Sequence, residues 1–151
     1  MTLLSVLDIL LVIVGGAGMI YQGLCIVMSL FAKPVRFPDA PMTNRYAVLI
    51  SARNEENVIG NLIGSIRDQT YPSDLIDIWL VADNCTDDTS DIARSAGATV
   101  YERFNNVQVG KGYALQTLLG HLEQDSPAGF DGYIVFDADN ILDPGYIAAM
   151  N

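Results

Sequence analysis

The chain has 151 residues, 50% hydrophobic and 17% charged, with a formal net charge of −10. So acidic a protein is ill suited to a nucleic-acid backbone, which takes a basic surface to displace counterions, and no nucleic-acid partner is expected. If it handles a diphosphate it has to neutralise the charge locally, as a divalent cation held by carboxylates does.

Ile9 to Ala32 carries no charged residue, and Gln22 is its one strongly polar side chain. As a helix this stretch reaches about 36 Å, enough for a bilayer core. The basic start and small-residue cleavage site of a signal peptide are missing, so residues 1–32 read as an uncleaved transmembrane anchor. Lys33, Arg36 and Arg45 follow it, whereas only Asp8 precedes it. The positive-inside rule then predicts a single pass through the cell membrane with the soluble part in the cytoplasm. Residues 33–45 hold Pro34, Pro38 and Pro41 and read as an extended spacer before a domain at 46–151. Cys25 lies in the apolar stretch and Cys85 in a polar loop, which argues for reduced thiols. Asn84-Cys85-Thr86 matches a glycosylation sequon that a cytoplasmic loop would not expose to that machinery.

Tyr46 to Ser51 is a nearly continuous apolar run, as in a strand buried on both faces of a parallel sheet. Val58, Ile59, Leu62, Ile63 and Ile66 then recur at helical spacing, with Asn54 as the expected cap. Ile76 to Ala82 reads as a second strand, followed by an Asp-rich turn and a short helix ending at Gly97. "ATVYER" is a third strand; Ala114, Leu115, Leu118, Leu119 and Leu122 form the stripe of another helix; "YIVFDAD" returns to strand. Strands alternating with helices predict an α/β fold with a mostly parallel sheet, whose ligand crevice lies at the carboxyl ends of the strands.

The loops at those ends collect polar groups: Ala52-Arg53-Asn54-Glu55, Asp83-Asn84 and Asp137-Ala138-Asp139-Asn140. Each alone is an ordinary turn composition, but convergence on one sheet edge points to a site. Asp137 and Asp139 offer hard oxygen ligands suited to magnesium or manganese, which usually takes one or two ligands from protein and the rest from water and phosphates. An EF-hand would need Asp or Asn at Ile141 and Gly at Leu142, the Walker spacing is absent around Lys111, and no GxGxxG follows the first strand. Lys111, at a helix start, is still placed to meet phosphate.

Taken together, "ISARNEE", "VADNCTDDT", "GKGYAL" and "FDADN" occur in an order that resembles family 2 glycosyltransferases across residues 46–151. The resemblance implies a Rossmann-like GT-A nucleotide-diphospho-sugar transferase fold. It implies that Ala52, Arg53 and Glu55 line the nucleoside pocket, that Asp83 contacts the base, and that Lys111 and Gly112 lie nearby. Asp137 would lie against nucleotide or donor sugar, and Asp139 would ligate the metal. The implied activity is inverting transfer from a nucleotide sugar, a UDP-sugar, to a glycan or lipid acceptor, as a hexosyl- or N-acetylhexosaminyl-transferase. Family members continue well past the DxD with an acceptor-side acidic motif. The acceptor base is therefore not expected in this chain, and donor binding is its expected share, with transfer belonging to a longer parent.

Other residues have plainer expectations. His121 should be an exposed helix residue; Trp79, Tyr113 and Tyr133 should pack; Asp87, Asp88 and Asp91 should favour a helix start rather than a second metal. Two rival readings are a membrane-tethered nucleotide-binding or interaction module without catalysis, and a sugar-phosphate nucleotidyltransferase, whose glycine- and arginine-rich first loop "SARNEE" does not match.

Overall fold

The computed structural model describes residues 3–33, 38 and 40–151, so Pro34 to Phe37 and Asp39 of the expected spacer, Arg36 among them, lie outside the described residues. Two compact units divide at residues 39 and 40. The first contains α1 (Leu3–Phe31), whose segment Ser5–Phe31 has a mean hydropathy of 2.1. Its 29 residues reach about 44 Å, longer than a bilayer core of ~30 Å. The helix is apolar around its circumference, with Val12, Ile20 and Leu30 all exposed, as a lipid-facing segment requires. It begins earlier than the uncharged stretch and takes in Asp8.

The second unit is an α/β layer structure. Its parallel strands are β1 (Tyr46–Ala52), β2 (Ile76–Asp83), β3 (Thr99–Arg103) and β4 (Gly132–Asp137), in the order β3-β2-β1-β4. The chain steps outward from β1 through β2 to β3 and then returns to the other side of β1. The order thus reverses between β1 and β4, the switch point at whose carboxyl ends open α/β sheets place their ligands. Side-chain alternation divides the core. Val48, Ile50, Ile78 and Leu80 face α2 (Ile59–Arg67) and α3 (Thr89–Ser95), whereas Ala47, Leu49, Trp79 and Val81 face α4 (Lys111–Asp125). Residues such as Ile50, Leu80 and Leu118 are fully buried, each worth about 1.5–3 kcal/mol of transfer free energy. A short α5 (Tyr146–Met150) adds Ile147 to the first core.

Some local expectations are corrected. Helix α2 begins at Ile59 with Val58 at the N-cap position, and Asn54 is no cap. Asn54 has φ 56° and its side-chain oxygen accepts from the Thr86 amide at 2.8 Å, which takes it out of the helix. Trp79 is buried as expected, but Tyr113 and Tyr133 are 46% and 50% exposed. Among the described residues β4 is at the edge of the sheet, and α4 covers β1 and β2 rather than β4, which leaves Tyr133 and Val135 open. His121 is half-buried and stacks on Tyr101 with ring centroids 4.2 Å apart. Gly97, φ 93°, follows α3 in the left-handed conformation expected of a glycine after a helix.

Candidate functional site

Because the strands are parallel, their last residues share one edge: Ala52, Asp83, Arg103 and Asp137. Register sharpens this placement. Asp83 pairs with Arg103 across β2 and β3, and Ser51 pairs with Asp137 across β1 and β4. By the two-residue alternation of strands, these four side chains fall on the face covered by α4. A polar strip therefore crosses the sheet edge in the order Arg103, Asp83, Ser51, Asp137.

Lys111 opens α4 above this strip, and its ammonium is ion-paired with Asp137. Gly110 precedes it with φ 124°, a conformation that favours glycine, and supplies no side-chain cap. The amides of Tyr113 and Ala114 both reach the Gly110 carbonyl. Those of Lys111 and Gly112 have no acceptor among the described residues, as expected of a first helical turn. A lysine ammonium, two open amides and the positive end of a 15-residue helix thus converge.

The loop after β1 is differently committed. Asn54 N–H donates to Cys85 Sγ at 3.4 Å, and the Cys85 thiol lies 3.5 Å from the Ala52 carbonyl. Glu55 N–H donates to the buried Thr89 hydroxyl at 2.8 Å, and Glu56 N–H to Asp87 at 3.2 Å. The amides of Asn54, Glu55 and Glu56, which a phosphate-binding turn would present, are therefore engaged by the β2–α3 loop and the first residue of α3. The Thr89 hydroxyl donates to Asp87 at 2.6 Å and holds that carboxyl below its ordinary range. Asp87 thus serves the start of α3, as expected, whereas Asp88 takes the N-cap position without a side-chain bond to the helix.

Of the residues singled out in the sequence, Lys111 and Asp137 are in direct contact, with Gly112 beside them. Ala52 is buried and Asp83 is 4% exposed. Glu55 is tied through its backbone to α3. Arg53 and Asp139 are exposed and make no ion pair or side-chain hydrogen bond among the described residues. Sequence reading overlooked Arg103 and Ser51. Arg103 is 8% exposed, and its burial follows from register with a strand 20 residues away.

Asp137 and Asp139 are both exposed at the end of β4, and no group of three or more His, Cys, Asp or Glu is gathered for a metal among the described residues. Two carboxylates without an all-protein cage suit a hard cation that completes its shell from substrate phosphates and water, and do not suit a structural zinc or calcium site.

Residues 47–150 match the model of the family described as "Glycosyl transferase family 2". A 4,4'-diaponeurosporenoate glycosyltransferase of Staphylococcus aureus (strain USA300) is 34% identical over 111 residues, which are 72% of this chain and 28% of that protein. The chain thus spans 28% of the length of the curated relatives it matches. Among solved structures, the mannosyltransferase PcManGT from Pyrobaculum calidifontis, in complex with GDP-Man and Mn2+, aligns with a TM-score of 0.69 at 23% identity, covering 94% of this chain and 41% of that one. S. aureus TarS 1-349 in complex with UDP-GlcNAc aligns with a TM-score of 0.55 at 18% identity, covering 68% and 29%.

Proposed function

Because this chain belongs to the family 2 glycosyltransferases, we propose that it forms the donor-binding part of a membrane-anchored enzyme that transfers sugar from a UDP-sugar to a glycan or lipid acceptor. Its sheet has the GT-A fold. The observation that carries the proposal is the polar strip at the sheet edge, which runs from the Arg103–Asp83 pair at one end to Asp137, ion-paired with Lys111 at the open N-terminus of α4, at the other. That strip offers a carboxylate acceptor for a base and a cationic end for a diphosphate. Neighbours of the same fold solved with GDP-Man and Mn2+, and with UDP-GlcNAc, lend support.

Sugar transfer breaks the bond between the anomeric carbon and the diphosphate oxygen, and negative charge grows on the leaving diphosphate. The Lys111 ammonium and the amides of Lys111 and Gly112 stabilise that charge from the helix end. Asp137 and Asp139 would hold magnesium or manganese, which supplies Lewis-acid neutralisation of the same oxygens. Ala52, Arg53 and Glu55 line the nucleoside side, and Asp83 accepts a hydrogen bond from the base. Inversion requires a carboxylate base on the acceptor side, a role assigned to none of these residues.

Helix α1 crosses the cell membrane in this reading, with residues 46–151 in the cytoplasm. Lys33 and Arg36 carry the orientation, because Arg45 is engaged in the folded unit by Asp77 at 2.7 Å and lies over the Phe130 ring. Photolabelling the chain in detergent micelles with azido-UDP-glucose and Mn2+ tests the donor site. Labelling of peptides bearing Asp83 or residues 104–110, prevented by excess UDP, is the expected result; labelling that UDP does not prevent contradicts it.

A further inference from the structure

Arg103 and Asp83 are register partners at the ends of β3 and β2, with side chains only 7% and 6% exposed. Arg103 Nη1 donates to Asp83 Oδ1 at 2.5 Å, and Nη2 donates to the Gln108 carbonyl at 2.7 Å. Stability alone is a weak reason for such a pair, because burying two charges costs much of what their attraction returns. What the pair does to Asp83 is specific. Oδ1 takes Arg103 and lies 3.3 Å from Asn84 Nδ2, while Oδ2 takes no hydrogen bond from the described residues. Asn84 is itself fixed, with φ 55° and its amide group bonded to the Asn105 carbonyl and N–H at 3.1 and 2.9 Å.

We propose that Arg103 is a positioning residue that sets nucleobase choice, by orienting the Asp83 side chain with one oxygen consumed and one presented. This rests on the donor-binding reading above. A carboxylate in an ion pair only accepts hydrogen bonds, so the base has to offer an N–H. With one oxygen available, a base with a single imide N–H, uracil, is satisfied. Guanine presents two adjacent N–H groups that call for both oxygens, and adenine and cytosine present a bare ring nitrogen to the carboxylate. Sites built around a buried hydrogen bond reject partners that leave it unmade. Through Gln108 the same guanidinium also braces the loop that leads to Gly110 and Lys111, and so links the base end of the site to the phosphate end.

The test is calorimetry on the 151-residue chain in detergent micelles with Mn2+, comparing UDP, GDP and 3-methyl-UDP, whose imide N–H is replaced by a methyl group. The wild type is expected to prefer UDP to either by about tenfold or more. In Arg103→Met the preference should fall to roughly twofold, and Arg103→Lys should be intermediate, keeping the charge but not the fork. Thermal melts run alongside. A variant that weakens all three nucleotides by one common factor has lost structure only and overturns the proposal, as does wild-type preference in either variant. If Arg103→Met does not fold, Arg103→Lys decides the matter on the same ratio. A folded wild type that binds no nucleotide sinks the donor reading and this inference together, whereas UDP binding with unaltered preference in the variants sinks the inference alone.

Discussion

Lys111, the first residue of α4, is ion-paired with Asp137, the last residue of β4. The partners are 46% and 66% exposed, so the pair itself adds little stability, about 0–1 kcal/mol. In the proposed site its consequence would be functional, since the ammonium holds an oxygen that a divalent cation would use and a bound diphosphate would compete with Asp137 for that ammonium. Lys111→Ala is expected to weaken UDP binding in Mn2+ about tenfold, with little change in the thermal midpoint. Calorimetry and a circular-dichroism melt check both halves; a lowered midpoint with unchanged affinity would assign the pair to the fold.

Gly132 lies opposite Tyr46 in the register of β4 and β1, and a Cβ there would sit 2.7 Å from the tyrosine ring. The ring is not free to yield: its hydroxyl donates to Asn151 at 3.1 Å and its edge packs against Tyr71. Gly132→Ala should cost roughly 1–3 kcal/mol by overpacking. Gly120, inside α4 with nothing within 4 Å of its Cβ position, provides the contrast, and Gly120→Ala should stabilise by about 0.5–1 kcal/mol. Urea midpoints moving in opposite directions at constant slope are the expected result.

Tyr101 donates to Asp125, and burial, then that hydrogen bond, then the Asp125 charge push its phenol up to about 12. The folded state favours the protonated phenol, so this contribution to stability is complete below pH 10, declines above it, and is lost as the pH passes about 12. Tyr71 is raised as well, chiefly by burial. Tyr101→Phe should therefore make the alkaline loss of stability shallower without abolishing it, as read from unfolding midpoints across that range. An unchanged alkaline limb would remove Tyr101 from the account.

The central strands were legible because a parallel strand buried on both faces writes itself as a short apolar run, as at Tyr46 and Ile76, and the segments read as strands from Ala98 and Tyr133 became β3 and β4 with starts one residue away. Lys111 was legible as a helix start because polar glycine-rich sequence gives way there to an apolar stripe. What was not legible depends on tertiary partners. Asn54 looked like a cap, but the Thr86 amide captures its side chain. Arg103 looked like an ordinary strand residue, because its burial depends on which Asp it meets across β2. Tyr133 looked like a packing residue, because nothing in its own strand says that β4 is an edge.

The central claim, that this sheet edge holds a nucleoside diphosphate jointly with a divalent cation, is tested most directly by titrating the chain in detergent micelles with UDP, in Mn2+ and then in EDTA, for the wild type and Asp139→Ala. Binding in Mn2+ that is lost in EDTA and strongly weakened in Asp139→Ala is the result predicted. UDP binding of equal strength in EDTA, or no binding by a chain shown to be folded, would contradict it.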